Sequence, residues 1–147
     1  MKKRKTLKTM KCRDLVKVLD KEFSLYVRLR AADDNGCCKC ITCGKLFPYK
    51  EICNGHYIPR QYMSTRYNEI NCNPQCTSCC TFFEGKHFIY RQRLVEMYGE
   101  EKIERMELWA DMTKTETADT LREKIEYYRK LTVSVKENEQ GGKYGYS

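Results

Sequence analysis

Residues 37–45 read CCKCITCGK, and residues 76–80 read CTSCC. Within them stand two Cys-x-x-Cys pairs, Cys40/Cys43 and Cys76/Cys79. Two-residue spacing lets both sulfurs of one turn face the same ion, and four thiolates close a tetrahedral zinc site. One such pair is a weak signal. Two of them, with turn residues between and a helical pattern after, predict a treble-clef-like zinc staple. The competing reading is buried free thiols, since an unpaired cysteine packs as a small hydrophobe. The register also has alternatives: Cys37 and Cys40 form an overlapping pair, Cys72 lies four residues before Cys76, and Cys80 follows Cys79. Gly44 suits a knuckle turn, and the second pair opens the helical pattern. These favour Cys40, Cys43, Cys76 and Cys79, and leave six of the ten cysteines, Cys12 and Cys53 among them, as spares.

The rest of the chain explains why a staple would be useful. At 147 residues and 41% hydrophobic it suits one domain with a modest core. No apolar run follows the basic start, so nothing resembles a signal peptide or a membrane span. A reducing, cytoplasmic compartment is the expectation, where metal binding is a better default for cysteine than disulfides. The net charge of +8 points toward a polyanion, nucleic acid first. That charge is concentrated. Residues 1–13, MKKRKTLKTMKCR, contain no acid, and the cysteine-rich middle is basic, whereas residues 99–130 are slightly acidic. A basic arm of this kind is commonly a solvated tail, but it can also lie along phosphates.

Periodicity supplies the elements. Residues 14–32 read as an amphipathic helix with Leu15, Leu19, Phe23, Tyr26 and Arg30 at spacings of three and four. Residues 37–58 read as a β-hairpin whose second strand carries His56, and 59–75 as a loop. The helical pattern resumes from about Ser78 to Tyr98, with Gly99 as its stop, and again near 100–110. TKTE at 113–116 resembles a capping box for a last helix over 114–131. The expectation is an α+β chain: a basic arm (1–13), a zinc-stapled domain with flanking helices (14–132) and a flexible tail (133–147).

Only two histidines occur, His56 in CNGHYIPRQ and His87. A lone strand histidine is most often a satisfied core or surface residue. Here a zinc staple would bring its strand toward the first turns of the following helix, where Cys80, Glu84 and His87 fall at i, i+4 and i+7 on one face. An imidazole facing such a cluster is the layout of a one-metal nuclease, in which the base takes a proton from water while the ion polarises phosphate.

Several stretches in order, CITCG, NGHYIPRQ, TRYNEINCNPQCTSC and EGKHFIYRQRLVEMYGEE, together with RLRAAD at the end of the first helix, resemble the phage NinG (Rap) recombination family. That family belongs to the HNH, or ββα-metal, nucleases. The similarity runs from about Phe23 to Leu131. It implies Mg²⁺- or Mn²⁺-dependent endonuclease action on branched DNA such as Holliday junctions. By that resemblance His56 matches the general base, Asn71 the asparagine that braces the loop, and Cys40, Cys43, Cys76 and Cys79 the zinc ligands. The sequence departs from the wider HNH pattern at Gly55, where a metal ligand often precedes the base, and at Cys80, where Asn is common. A thiolate is a poor ligand for hard Mg²⁺, so Glu84 is the expected oxygen donor, with His87 second.

On this reading Arg60, Arg66, Lys86, Arg91 and Arg93 contact the DNA backbone, and Tyr57, Tyr62 and Tyr67 are candidates to stack on unpaired bases. A homodimer would suit symmetric cutting of a junction. The main alternative is a non-catalytic zinc module that binds DNA or a recombination protein; a third is a site-specific HNH nuclease of the homing type.

Overall fold

The computed structural model describes residues 5–82 and 86–141, with side chains over 5–81 and 86–138. Helices combine with two small antiparallel sheets, the α+β class expected, and four cysteines cluster among them. The chain divides into two compact units, one of residues 27–114 and one of residues 1–26 with 115–147.

In the second of these, α1 (Cys12–Arg30) contributes Leu15, Leu19 and Phe23, and α5 (Ala118–Gly141) contributes Leu121, Ile125 and Tyr128. Each set recurs at three or four residues, and each is buried, as an amphipathic helix requires. Phe23 meets Tyr128 edge-on at 4.8 Å, and Arg129 pairs with Glu22 at 3.0 Å. The helix does not start at the anticipated TKTE. Thr117 Oγ1 instead accepts the Thr120 N–H at 3.2 Å while Thr120 Oγ1 accepts the Thr117 N–H at 3.0 Å, a reciprocal cap four residues later. The helix also continues past 131 to Gly141, so the segment read as a flexible tail is helical over 133–141. The basic arm is likewise more than a solvated tail where it is described. Residues Leu7–Thr9 form a 3₁₀ turn, and Arg122 Nε donates to the Leu7 carbonyl at 3.0 Å. Residues 1–4 and 142–147 lie outside the described residues.

The unit of residues 27–114 holds nine of the ten cysteines and both histidines. Strands β1 (Cys37–Lys39) and β2 (Leu46–Pro48) form a hairpin around the first cysteine pair. The strand with His56 is not part of it. β3 (Cys53–His56) pairs instead with β4 (Cys72–Gln75), in the register Cys53↔Gln75, Asn54↔Pro74, Gly55↔Asn73 and His56↔Cys72. The reading of 59–75 as loop therefore missed a strand. CNPQ carries neither alternation nor β-branched residues, and Pro74 argues against a strand by itself. Pro74 is accommodated because it contributes only its carbonyl, which accepts the Ile41 N–H at 2.9 Å. Between β3 and β4 runs a loop with one short turn of helix, α2 (Met63–Arg66).

The helical stretch expected from Ser78 to Tyr98 is interrupted. Ser78–Phe82 form a π turn, Lys86 takes a left-handed conformation with φ 43°, and α3 (His87–Tyr98) begins only afterwards. α4 (Glu100–Ala110) folds back from Gly99. Tyr90, Leu94, Ile103 and Met106 from these two helices form a core with Tyr57 and Ile58. A second core gathers Cys38, Cys40, Ile52, Cys76 and Cys79.

Candidate metal centre and the histidine loop

The first cysteine pair sits on a knuckle built by the backbone. Cys40 N–H donates to the Lys45 carbonyl at 2.8 Å, and Gly44 N–H returns to the Cys40 carbonyl at 2.9 Å. Gly44 has φ +76°, which a side chain would resist. The second pair lies where β4 ends and the π turn begins. Cys76 N–H donates to Cys40 Sγ at 3.2 Å, which ties the pairs together. The sulfurs of Cys40, Cys43, Cys76 and Cys79 all lie within 4.8 Å of one another, with Cys43 and Cys76 at 3.9 Å. A zinc–sulfur bond of about 2.3 Å implies tetrahedral edges of about 3.8 Å, so the spacing fits that ion.

Electrostatics agrees with the geometry. Burial opposes ionisation of the Cys40 thiol, but the Cys43 and Cys76 N–H groups and the Thr42 hydroxyl outweigh it and bring its pKa down to about 6. Burial, then the adjoining Cys79 and Cys40 sulfurs, push Cys76 up to about 12 against the Cys79 N–H. Crowded sulfurs cannot all be charged unless a cation sits among them. These four residues would hold a Zn²⁺, whose role in a closed four-cysteine site is structural. Two of the spare thiols are occupied otherwise. Cys38 Sγ donates to the Arg28 carbonyl at 3.0 Å, and Cys72 Sγ to the Arg66 carbonyl at 3.5 Å.

His56 lies at the far end of the β3–β4 ladder from these cysteines. Its Nε2 is 3.0 Å from the Arg66 carbonyl oxygen. A carbonyl can only accept, so Nε2 carries the proton and Nδ1 is the basic nitrogen. The loop that presents this carbonyl is clamped from inside by Asn71, which is fully buried. Its Oδ1 accepts the Ile58 N–H at 2.7 Å, and its Nδ2 donates to the carbonyls of Ile58 at 3.0 Å and Thr65 at 3.1 Å. One side chain thus satisfies three buried backbone groups on both arms of the loop.

Gly55 is explained by its neighbour across the ladder. A Cβ there would lie 2.5 Å from Gln75 Oε1 and 2.6 Å from Gln75 Cβ. No metal-ligating side chain fits in the position before His56 while Gln75, 1% exposed and bonded to Thr42, fills it. Two residues within the quoted stretches, to which the sequence reading gave no role in the site, also hold this ladder. Tyr90 Oη donates to the Gly55 carbonyl at 2.7 Å. Arg30 donates from NH1 to Glu69 Oε1 at 2.8 Å, and from NH2 to the carbonyls of Glu69 at 2.8 Å and Cys72 at 2.9 Å. The sequence held one signal for Arg30: a charged residue on an otherwise apolar stripe.

The expected second ligand cluster is not assembled by the described residues. Glu84 lies outside them. His87 is aimed elsewhere, because the interrupted helix removes the i, i+4, i+7 face. Its Nε2 donates to the Tyr57 carbonyl at 2.9 Å, and its ring stacks on that of Tyr57 at 4.5 Å. Among the described residues the cysteine quartet is the one gathering of three or more histidine, cysteine or carboxylate groups suited to a metal. Cys80 is held near Cys53 and Arg60, where burial raises its pKa.

The basic candidates divide. Arg91 is bound to Glu107 at 2.7 Å and Glu100 at 2.7 Å, and its hydrogen bond holds the Glu107 carboxyl below the usual range. It is a structural pillar for Tyr57, whose hydroxyl also donates to Glu107 at 2.6 Å. Arg93 pairs with Glu96 on the surface at 3.1 Å. Arg60 is exposed, and its carbonyl accepts from Arg66 NH1 at 3.0 Å. Lys86 occupies the position before α3 in a left-handed conformation, with no side-chain bond to the helix end. Tyr57 is buried and cannot stack on a base, whereas Tyr62 is exposed. No described helix is long and apolar enough to cross a membrane.

Comparison with known proteins gives one family. The family model described as Bacteriophage Lambda NinG protein matches residues 1–139. No curated protein and no solved structure matches the chain.

Proposed function

The chain belongs to the NinG family, which implies a role in phage recombination, and from that premise we propose that it is an endonuclease selective for branched DNA. The observation that carries the proposal is the hydrogen bond from His56 Nε2 to the Arg66 carbonyl. It fixes the tautomer in which Nδ1 is the basic nitrogen, the form a general base toward water needs, and it fixes the ring's orientation. The half-buried ring is thus held against a loop that the buried Asn71 clamps from inside.

In this reading the zinc quartet holds one end of the β3–β4 ladder and takes no part in the reaction. His56 removes the proton from the attacking water. Arg60, Arg66, Lys86 and Arg93 contact phosphates, which positions DNA without reading its sequence and so suits recognition by branch shape. Arg91 drops out, since two carboxylates already hold it. Of Tyr57, Tyr62 and Tyr67, Tyr62 is the one exposed for stacking on an unpaired base. A divalent ion, Mg²⁺ or Mn²⁺, would polarise the phosphate and stabilise developing charge. Glu84 is its proposed oxygen donor. The described residues do not by themselves fit a hard cation, and His87 is committed to the Tyr57 carbonyl through one nitrogen. Two copies acting on one junction would account for paired cuts.

That shortage of oxygen donors favours a second reading: a zinc-held module that binds DNA or a recombination protein without cutting. A labelled four-way junction incubated with Mg²⁺ or Mn²⁺, beside linear duplex of the same arms, separates the two. The nuclease reading expects ion-dependent cleavage of the junction in preference to the duplex. Binding without cleavage under either ion assigns the protein to the second reading, and cleavage of the duplex at one site would mark a homing-type enzyme.

A further inference from the structure

We propose that Arg30 is the positioning residue of His56: its guanidinium holds the 66–72 segment so that the Arg66 carbonyl stays in reach of the imidazole. The proposal deepens the nuclease reading but has its own observable. Arg30 stands in the last turn of α1, where it fills a place on an apolar stripe. Three of its hydrogen bonds, at 2.8, 2.8 and 2.9 Å, go to Glu69 and Cys72. Those residues flank Asn71 and lie three and six positions after Arg66. Cys72 is also the register partner of His56 across the β3–β4 ladder.

The same carbonyl of Arg66 accepts twice, from His56 Nε2 at 3.0 Å and from Cys72 Sγ at 3.5 Å. The histidine's partner is therefore reached through two routes from Arg30, along the chain from Glu69 and through the Cys72 backbone. Asn71 clamps the loop's interior at Ile58 and Thr65. Its side-chain hydrogen bonds go to Ile58 and Thr65, while the side chain and carbonyl of Glu69 accept from Arg30. Arg30 is only 23% exposed in its side chain, which strengthens its charge-assisted bonds relative to a surface pair. A planar fork that meets a carboxylate and two carbonyls at once is a task lysine cannot perform, because an ammonium is a point charge without fixed directions.

With two histidines in the chain, imidazole nitrogen spectra of the zinc-loaded protein read the effect directly. His87, which donates to the Tyr57 carbonyl, is the internal control. In the wild type both rings are expected in the Nε2–H form. Arg30→Lys is expected to move the His56 nitrogens toward a tautomer average and leave those of His87 in place. Glu69→Ala, which removes one of the three bonds and leaves α1 untouched, is expected to give a smaller shift in the same direction, and serves if Arg30→Lys does not retain zinc. His56 nitrogens unchanged in a folded Arg30→Lys protein, or unchanged in Glu69→Ala where the lysine variant fails to fold, would overturn the proposal. On junction substrate, Arg30→Lys should lower kcat by on the order of 10- to 100-fold with little change in KM, as expected for misorientation of a reacting group. A wild type that cuts nothing defeats the nuclease reading, and the spectra still decide the role of Arg30.

Discussion

The two ends of the β3–β4 ladder are held by opposite means. Near Cys53 and Gln75 the chain runs directly into the cysteine quartet, where soft thiolates and a cation would do the holding. At His56 and Cys72 the holding is done by neutral amides, a phenol and a guanidinium bonded to carbonyls. The first device concentrates its energy in one removable ion. The second spreads it over hydrogen bonds worth on the order of 1 kcal/mol each, although leaving a buried partner unsatisfied costs more. A metal staple keeps a small core folded, while a hydrogen-bond frame sets the direction of one ring.

The largest effect should come from attacking the cysteine end. Stripping the metal with a strong chelator, or Cys79→Ser, is expected to unfold the 27–114 unit cooperatively, since structural zinc contributes roughly 10–16 kcal/mol in small metal-folded domains. Circular dichroism with metal analysis checks this; a chain that stays folded and zinc-free would mean the cysteines pack as plain thiols. At the other end, Asn71→Ala leaves the Ile58 N–H and carbonyl buried without this partner, while the Thr65 carbonyl keeps the Asn68 N–H, and should cost a few kcal/mol at roughly 1–3 per group. Its zinc content should be close to that of the wild type in the folded fraction, which is the difference between the two ends in one variant. Denaturant unfolding measures it, and a loss under about 1 kcal/mol would show that water replaces the clamp.

Smaller effects sharpen the contrast. Tyr90→Phe removes the donor to the Gly55 carbonyl and should cost about 1–3 kcal/mol, because that oxygen is left buried. Glu107 gives the weakest signal. Its hydrogen bond from Arg91 lowers its pKa in the folded chain, so the stabilisation is present above the unfolded carboxylate pKa of about 4.3 and is lost as pH falls through the lower folded value. Glu107→Gln should therefore flatten the acid limb of stability against pH. An acid limb of unchanged slope would show that the pair contributes nothing in water.

The two ends also differed in how far the sequence disclosed them. Cysteine spacing is chemistry written locally: two residues between sulfurs, and a glycine after the first pair, are enough to choose Cys40, Cys43, Cys76 and Cys79 over Cys37 and Cys72. The amphipathic faces of α1 and α5 were legible for the same reason, since a period of three to four is a local property. Partnering across long separations was not. Nothing in CNPQ announces a strand, so β3 was assigned to the hairpin before it and not to the residues that pair with it. The break between Phe82 and His87 has no proline to mark it, and it moved His87 away from the ligand face that a continuous helix would have given. The roles of Arg30, Gln75 and Tyr90 depend on carbonyls and neighbours tens of residues away in the chain.

The most direct test is single-turnover cleavage of a saturating four-way junction by wild type and His56→Ala, each shown to be folded and zinc-loaded. A general base acts in the transition state and adds little to ground-state binding. The account expects His56→Ala to bind the junction as the wild type does and to cut it about 10²- to 10⁴-fold more slowly. Equal cleavage rates in the two proteins would contradict it.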